Sequence, residues 1–138
     1  MNRFDLHHLS RLRVKEAKVL LDHKCHEGAY YLLGYAVECA LKACIAKQTK
    51  RFDFPDQKTV NKSYVHDLNQ LLELSGVKSE HEKEIQSNRV FELNWAIVKD
   101  WSEKARYSGQ ISETEAIGFY SAVVSRRNGV LSWLKKRW

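Results

Sequence analysis

Residues Gly28 to Ala46 read GAYYLLGYAVECALKACIA, and this stretch decides the fold. Glu38 and Lys42 carry its only charges and lie one helical turn apart. A helix that is apolar on every side belongs either to the centre of a helical bundle or to a membrane. Each charged side chain near its middle would cost roughly 3 kcal/mol in a bilayer. We therefore predict the central helix of a bundle and expect no membrane association.

The length and composition limit the class of protein to which the chain can belong. Its 138 residues are enough for a single domain over residues 1–138, and 43% hydrophobic with 29% charged residues is typical of globular proteins. One proline and six glycines favour long helices over many short strands. The first residues, MNRFDLHHLS, are polar, so no signal peptide is expected.

The cysteines indicate the compartment. Cys25, Cys39 and Cys44 form no CxxC pair, and two of them lie in the apolar stretch, where a thiol behaves as a small hydrophobe. A reducing, cytoplasmic location is the expectation. A zinc site built on Cys25 and His26 would need further ligands at regular spacing, which the sequence lacks. We expect neither a metal nor a cofactor.

The apolar periodicity predicts an all-α, up-and-down bundle of four to five helices. The first two are joined by a short link and should form an antiparallel hairpin. Two capping boxes, at Ser79 and Ser112, open the fourth and fifth helices. The five predicted helices run from about Phe4 to Asp22, Glu27 to Lys47, His66 to Ser75, Ser79 to Lys104 and Ser112 to Lys136.

The buried side chains of the last two helices follow from the same periodicity. For the fourth helix the predicted buried side includes Ile85, Phe91, Trp95, Val98 and Trp101. For the fifth it includes Ile117, Tyr120, Val124, Leu131 and Leu134.

The charge balance favours phosphate-bearing partners modestly. The formal net charge is +6, and residues Lys47 to Lys62 and Lys135 to Arg137 are locally basic. Clustered lysines and arginines raise the local concentration of anions. Acidic residues are interspersed elsewhere, so part of this charge is an ordinary solvated surface.

One face of the central helix carries a candidate site. Tyr31, Tyr35, Glu38 and Lys42 follow one another at offsets of four, three and four residues. In one interpretation they line a cleft, with tyrosine rings for a base and Lys42 for a phosphate. In the other, Glu38 and Lys42 form an intrahelical pair beside packed aromatic rings, which is the commoner reason for buried charges to meet.

The other candidate residues lie later in the chain. His66 and Asp67 start the third predicted helix, where both can stabilise the helix N-terminus. Catalysis by His66 would need a partner that the sequence does not identify. Arg106 either complements a helix dipole or forms, with Tyr107, a phosphate fork beside a stacking ring. Surface positions are expected for His7, His8, His23 and His81.

These segments together resemble a known family. The run from Tyr30 to Ala46, then His66-Asp67-Leu68, then Ala105-Arg106-Tyr107, is similar in order and spacing to HEPN domains, the nucleotide-binding domains of higher eukaryotes and prokaryotes. The resemblance covers most of the chain, and E-x-x-L-K in the central helix is its most specific part. It implies a helical bundle, commonly a homodimer, often paired with a minimal nucleotidyltransferase. Many members are metal-independent RNases, including toxins of toxin–antitoxin systems and defence proteins, and others bind nucleotide or RNA without cleaving it.

The sequence departs from the catalytic members of that family. They resemble one another in an arginine followed four to six residues later by a histidine, late in the bundle. No histidine follows Arg106, Arg126 or Arg127, whereas Arg3 and His8 match the spacing but lie at the start of the chain. Without that histidine the usual RNA cleavage lacks its acid–base group. Enzymatic activity is therefore left open.

The leading hypothesis is a HEPN-like protein that binds nucleotide or RNA and lacks the usual RNase motif. Lys42 and Arg106 would contact phosphate, and Tyr35 or Tyr107 would stack on a base; Glu38 and His66 complete the candidate site. One alternative is an RNase toxin with a divergent site that uses His66 or the Arg3–His8 pair. Another is an interaction subunit that holds a nucleotidyltransferase or another helper protein.

Overall fold

The computed structural model describes residues 1–49, 57–102 and 110–138, apart from the side chain of Thr59. In these ranges the chain forms eight α-helices and no strand, which confirms the predicted all-α bundle. The helices are α1 (Arg3–Asp22), α2 (His26–Lys47), α3 (Gln57–Lys62), α4 (Leu68–Leu74), α5 (Lys78–Ser87), α6 (Arg89–Val98), α7 (Glu113–Val124) and α8 (Val130–Lys135).

The first two helices form the predicted antiparallel hairpin. A capping box opens α1, because Asn2 Oδ1 accepts from the backbone N–H of Asp5 and the Asp5 carboxylate accepts from that of Asn2. Farther along α1, the buried Ser10 hydroxyl donates to the carbonyl oxygen of Ala36 at 2.8 Å. This bond joins the middle of α1 to the middle of α2 and satisfies a hydroxyl that would be costly to bury alone.

The central position of α2 explains its composition. Twelve of its 22 residues are buried, and it contacts α1, α4, α7 and α8. It is long and apolar enough to cross a membrane by those two criteria, yet 67% of its most apolar window is buried by the other helices. Such burial is typical of the core helix of a bundle. Here the helix is covered by protein on most of its sides.

Two predicted helices are broken, and side-chain hydrogen bonds explain both breaks. The predicted fourth helix divides at Asn88, which has extended backbone angles and caps α6 by accepting from the backbone N–H of Phe91. Asn88 also donates to the side chain of Asn128 at 2.9 Å, and Asn94 donates to the Asn128 carbonyl at 2.8 Å. These bonds hold the turn that divides the predicted fifth helix between Val124 and Val130.

Other predicted boundaries also change. The capping box predicted at Ser79 is wrong, because α5 begins at Lys78 after Val77, which makes no side-chain capping bond. Ser112 does cap α7, accepting from the backbone N–H of Glu115 at 3.1 Å. The fourth helix was predicted to reach Lys104, but α6 ends at Val98. The short helix α3 lies between the second and third predicted helices, where no helix was predicted.

The predicted core is largely confirmed. Most of the named side chains of α6, α7 and α8 are buried or half-buried, but Ile117 is 51% exposed, so its prediction is wrong. Cys39 and Cys44 are buried as expected, and burial raises the pKa of their thiols to about 12 and about 11. At neutral pH both sulfurs are therefore protonated and act as packing groups.

His81 was predicted at the surface and is instead buried. Its ring contacts Phe91, Trp95 and Trp133 edge to face, with centroids 5.3, 4.6 and 5.5 Å away. Burial, with a smaller contribution from the positive charge of Arg137, lowers the pKa of His81 to about 4. The imidazole is accordingly a neutral member of an aromatic cluster that joins α5, α6 and α8.

Candidate functional site

Glu38 is the centre of the candidate site. It lies on α2 and is 1% exposed, so its carboxylate needs partners. Nδ1 of His66 is 2.6 Å from Oε1, and Nζ of Lys42 is 3.7 Å from Oε2. A carboxylate only accepts hydrogen bonds, so Nδ1 of His66 is the donor. The predicted Glu38–Lys42 ion pair is confirmed, but the closer partner of Glu38 is His66.

The start of α4 positions His66. Asp67 caps this helix, accepting from the backbone N–H of Gln70 at 3.0 Å, while Leu68 and Leu71 are fully buried. The predicted capping role of His66 is therefore wrong, since Asp67 fills it. Instead, the anchored helix presents the His66 imidazole to the carboxylate of Glu38, 28 residues earlier in the chain.

A groove of about 630 Å³ runs along α2 on the side that carries Glu38 and Lys42. Residues of α1, α2 and α3 and of the chain just after α3 line it. Among its described residues, the cationic side chains are Arg3 and Lys42 and the aromatic ones are Tyr35 and Tyr64, the latter 76% exposed. Apolar side chains of α1 and α2 form the remaining surface, so the groove offers positive charge beside flat apolar faces.

A second, smaller cavity adjoins the site. It measures about 240 Å³ and is lined by Val65, His66, Asp67, Gln70, Trp101 and Ser102. Glu38 lines the groove and His66 lines this cavity, so the hydrogen bond between them bridges the two spaces. A ligand in either space would lie beside one member of the pair.

The structure divides the four residues predicted to share one face of α2. Tyr35, Glu38 and Lys42 all line the groove, as the cleft interpretation requires. Tyr31 instead lies between two aromatic neighbours, with its ring centroid 6.3 Å from that of Tyr35 and 6.1 Å from that of Trp101. Burial raises the pKa of the Tyr35 phenol, which keeps it protonated at neutral pH.

Gly34 allows Trp101 to approach α2 closely. A Cβ atom at Gly34 would overlap the Trp101 indole, which is 3% exposed. Glycine is therefore required here for space, and the indole it admits forms one wall of the cavity beside His66. Sequence reasoning did not predict this contact, because Trp101 is 67 residues away in the chain and α2 contains several other small residues.

Arg106 and Tyr107 lie outside the described residues, so their predicted role stays a prediction. Ser102, four positions before Arg106 in the sequence, lines the same cavity as His66.

The structure does not bring Arg3 and His8 together as a catalytic pair. Residues five positions apart on a helix are about 140° apart around its axis, so the two side chains lie on different faces of α1. Arg3 lines the groove, whereas His8 is exposed.

Two groove residues were missed as binding candidates by sequence reasoning. Tyr64 belongs to no motif and lies just after the basic segment Lys47 to Lys62, and Arg3 was considered only with His8 as a possible catalytic pair. Among the described residues, no three His, Cys, Asp or Glu side chains cluster closely enough to hold a metal ion.

Neither a family model, nor a curated protein, nor a solved structure matches the chain.

Proposed function

We propose that this protein binds a nucleotide or single-stranded RNA in the groove along α2. Lys42 and Arg3 contact phosphate, and Tyr35 or Tyr64 packs against a base. The observation that carries this proposal is the buried Glu38, whose carboxylate holds Lys42 at the groove wall and His66 beside the adjoining cavity.

The charges and rings in the groove support this ligand class. Among the described residues that line the groove, Arg3 and Lys42 have cationic side chains and Glu38 has the one carboxylate. The whole chain carries a formal charge of +6, which attracts anions over longer distances. Stacking of a base on an aromatic side chain contributes about 1–3 kcal/mol and tolerates any base.

The resemblance to HEPN domains supports the same proposal. In that setting the protein acts in the cytoplasm, pairs with a minimal nucleotidyltransferase and serves in a toxin–antitoxin or defence system. Arg106 and Tyr107 then add a second phosphate contact and a second stacking ring. These parts of the proposal depend on the resemblance, whereas binding in the groove also depends on the described residues.

Fluorescence anisotropy with a labelled oligouridine and with labelled ATP tests the binding. We expect an affinity that falls between about 50 and 200 mM salt, because bound phosphates release counterions. Lys42→Met should weaken binding about tenfold, and Lys15→Met, which removes the same charge from an exposed site on α1, should leave it almost unchanged.

Tyr64→Ala separates binding from folding. The Tyr64 side chain is 76% exposed, so its removal should lower affinity while urea unfolding stays the same. Absence of binding to both probes at low salt would contradict the proposal. So would an equal loss of affinity in the Lys15 and Lys42 variants.

A second candidate function is metal-independent cleavage of RNA, and the Glu38–His66 hydrogen bond favours it. Because the Glu38 carboxylate accepts from Nδ1 of His66, it would orient the imidazole as a general base. The imidazole would take the proton of a ribose 2′-hydroxyl as that oxygen attacks the adjacent phosphorus. The 5′-oxygen would leave with a proton from solvent, and a 2′,3′-cyclic phosphate would remain. A carboxylate that orients a histidine is a common arrangement for a general base.

Incubation of labelled RNA with the protein in EDTA tests this chemistry. We expect cleavage by the wild type, loss of cleavage in His66→Gln, and no reaction with an otherwise identical DNA strand, which lacks the attacking hydroxyl. Intact RNA under conditions where it is bound would exclude cleavage and leave the binding function in place.

A further inference from the structure

One side of α1 carries two arginines and a histidine at every fourth position. Arg3, His7 and Arg11 are successively about 40° apart around the helix axis and about 6 Å apart along it. Trp138 packs against this side, because its ring stacks on His7 with the centroids 4.1 Å apart and the Arg11 guanidinium lies 5.0 Å from its ring centroid. The chain that follows α8 therefore lies along α1.

Two lysines bring further positive charge to this place. Lys47 is the last residue of α2, and its Nζ donates to the carbonyl oxygen of Arg137 at 3.0 Å, next to Trp138 in the chain. Lys135 is the last residue of α8. Burial lowers the pKa of the Lys135 ammonium, and the positive charge of Arg11 lowers it further. The ends of α2 and α8 thus both contribute a cation beside α1.

His7 lies among these charges. Burial is the largest cause that lowers its pKa, and the positive charges of Arg11, Arg3 and Lys47 lower it further. We call the four side chains around the stacked rings of His7 and Trp138 the basic patch, and they are Arg3, Arg11, Lys47 and Lys135.

No carboxylate is paired with the basic patch in the part of the chain that the structure describes. None of its four side chains forms an ion pair there. Asp5 is engaged in the capping box of α1, and Glu80 is paired with Arg137 at 2.8 Å. Uncompensated cations that lie close together raise the local concentration of anions. The basic patch therefore favours an anionic partner.

The basic patch adjoins the groove along α2. Arg3 belongs to both. Trp138 packs against a small apolar cluster, and two members of that cluster, Leu6 and Cys39, also line the groove. Arg11 lies eight residues beyond Arg3 on α1, so the positive surface extends about 12 Å past the groove along this helix.

We infer that the basic patch continues the groove as the path of a single RNA strand, so that the ligand is a strand of several nucleotides. Such a path rests on the proposed function, because it starts from a nucleotide bound in the groove. Beyond that nucleotide, successive phosphates contact Arg11, Lys47 and Lys135. A strand is favoured over an acidic protein because its charges repeat along a line that leads out of the groove, where tyrosine rings can stack on bases.

Fluorescence anisotropy with labelled oligouridines of about 2, 4, 8 and 12 nucleotides tests this path. Affinity should rise at least tenfold from about 2 to about 8 nucleotides and then change little, since the longer strand reaches the basic patch. Each phosphate contact to a single strand adds about −0.7 to the slope of log K against log salt concentration. Three further contacts should therefore make the slope steeper by about 2 for the strand of 8 nucleotides.

Substitutions in the basic patch should affect only the longer strands. Arg11→Met and Lys135→Met should each weaken binding of the 8-nucleotide strand about five- to tenfold near 50 mM salt and reduce its salt slope by about 0.7. Binding of the 2-nucleotide strand and of ATP should stay the same. Arg11→Lys keeps the charge and should retain most of the affinity. Lys83→Met is the control, since Lys83 is an exposed residue of α5.

The outcomes separate this path from the proposed function. Affinities that do not depend on strand length, or patch variants that weaken binding of ATP and of the 8-nucleotide strand equally, would overturn the path and leave binding in the groove intact. If polyglutamate of matched charge displaced the 8-nucleotide strand as well as unlabelled oligouridine does, an acidic protein would replace RNA as the partner. Absence of binding to every probe would contradict both proposals. Lys135 is exposed, so Lys135→Met remains a valid test even if Arg11→Met impairs folding.

Discussion

Glu38 and His66 are joined by a hydrogen bond of 2.6 Å between Oε1 and Nδ1, although 28 residues of chain separate them. One belongs to the central helix and is almost completely buried, and the other precedes a short helix at the edge of the bundle. The bond therefore fixes the position of an edge segment relative to the core. It also makes a buried charge tolerable in the most apolar helix of the protein.

Replacing that carboxylate should destabilise the fold. We expect Glu38→Gln to lower the free energy of unfolding by about 1–2 kcal/mol, because an amide loses the charge-assisted bond to His66 and the ion pair with Lys42. Urea unfolding measures the change. Glu16→Gln is the control, since Glu16 is paired with Arg13 at a more exposed site and should cost less than about 0.5 kcal/mol. Equal losses in the two variants would contradict this account of Glu38.

The close approach of Trp101 to Gly34 predicts a strong effect of one methyl group. Gly34→Ala should lower the free energy of unfolding by about 3 kcal/mol, because the added Cβ overlaps the buried indole. Gly118→Ala is the matched control within α7: its Cβ would meet open space, so the variant should gain about 0.5–1 kcal/mol from helix propensity. Thermal or urea unfolding distinguishes these opposite signs, and a harmless Gly34→Ala would mean that the indole lies elsewhere.

His81 should make the fold sensitive to mild acid. Its pKa is about 4 in the folded protein and near 6.5 in the unfolded chain, so between these values the unfolded state binds the proton more readily. The stability it contributes is complete above pH 6.5 and is lost as pH falls toward 4. We expect a loss of about 1–2 kcal/mol between pH 7 and pH 5.

Urea unfolding of His81→Leu at the same two pH values provides the comparison. This variant should show a smaller difference between them than the wild type, while His23→Leu, which changes an exposed histidine, should match the wild type. A pH dependence that is unchanged in His81→Leu would assign the effect to other groups.

Trp138 joins the end of the described chain to its first helix. Its ring stacks on His7 with centroids 4.1 Å apart, and the Arg11 guanidinium lies 5.0 Å from its centroid. We expect Trp138→Ala to cost about 1–2 kcal/mol, since both the stacking and the cation–π contact are lost. Trp138→Phe keeps an aromatic face and should recover most of that stability in urea unfolding. Equal effects of the two variants would exclude a specific ring contact.

Sequence periodicity was a sufficient guide to the fold where the relevant forces are local. It predicted the hairpin of α1 and α2 and the buried sides of most helices, because apolar faces repeat with the helical turn. It missed the break at Asn88, which depends on hydrogen bonds to Asn128, 40 residues away. It also misplaced His81, whose aromatic neighbours come from two other helices.

The same distinction applies to the candidate site. Helical spacing placed Tyr35, Glu38 and Lys42 on one face, and the structure finds all three along the groove. The partnership of Glu38 with His66 could not be predicted, since it depends on how the chain returns to α2 before α4 begins. Asp67 caps α4, so His66 does not, and its imidazole approaches the Glu38 carboxylate instead.

The order in which the chain is made has a consequence for its central helix. The residues of α2 are complete at Lys47, but α7 and α8, which cover part of it, end only at Val124 and Lys135. At about 5–20 residues per second, a ribosome needs roughly 4–18 s to add that remainder. During this interval α1 is the longest of the described helices that can shield this apolar segment of 22 residues. We expect the nascent chain to depend on chaperones most strongly during this interval. The extent of that dependence should vary with the speed at which α1 and α2 form their hairpin.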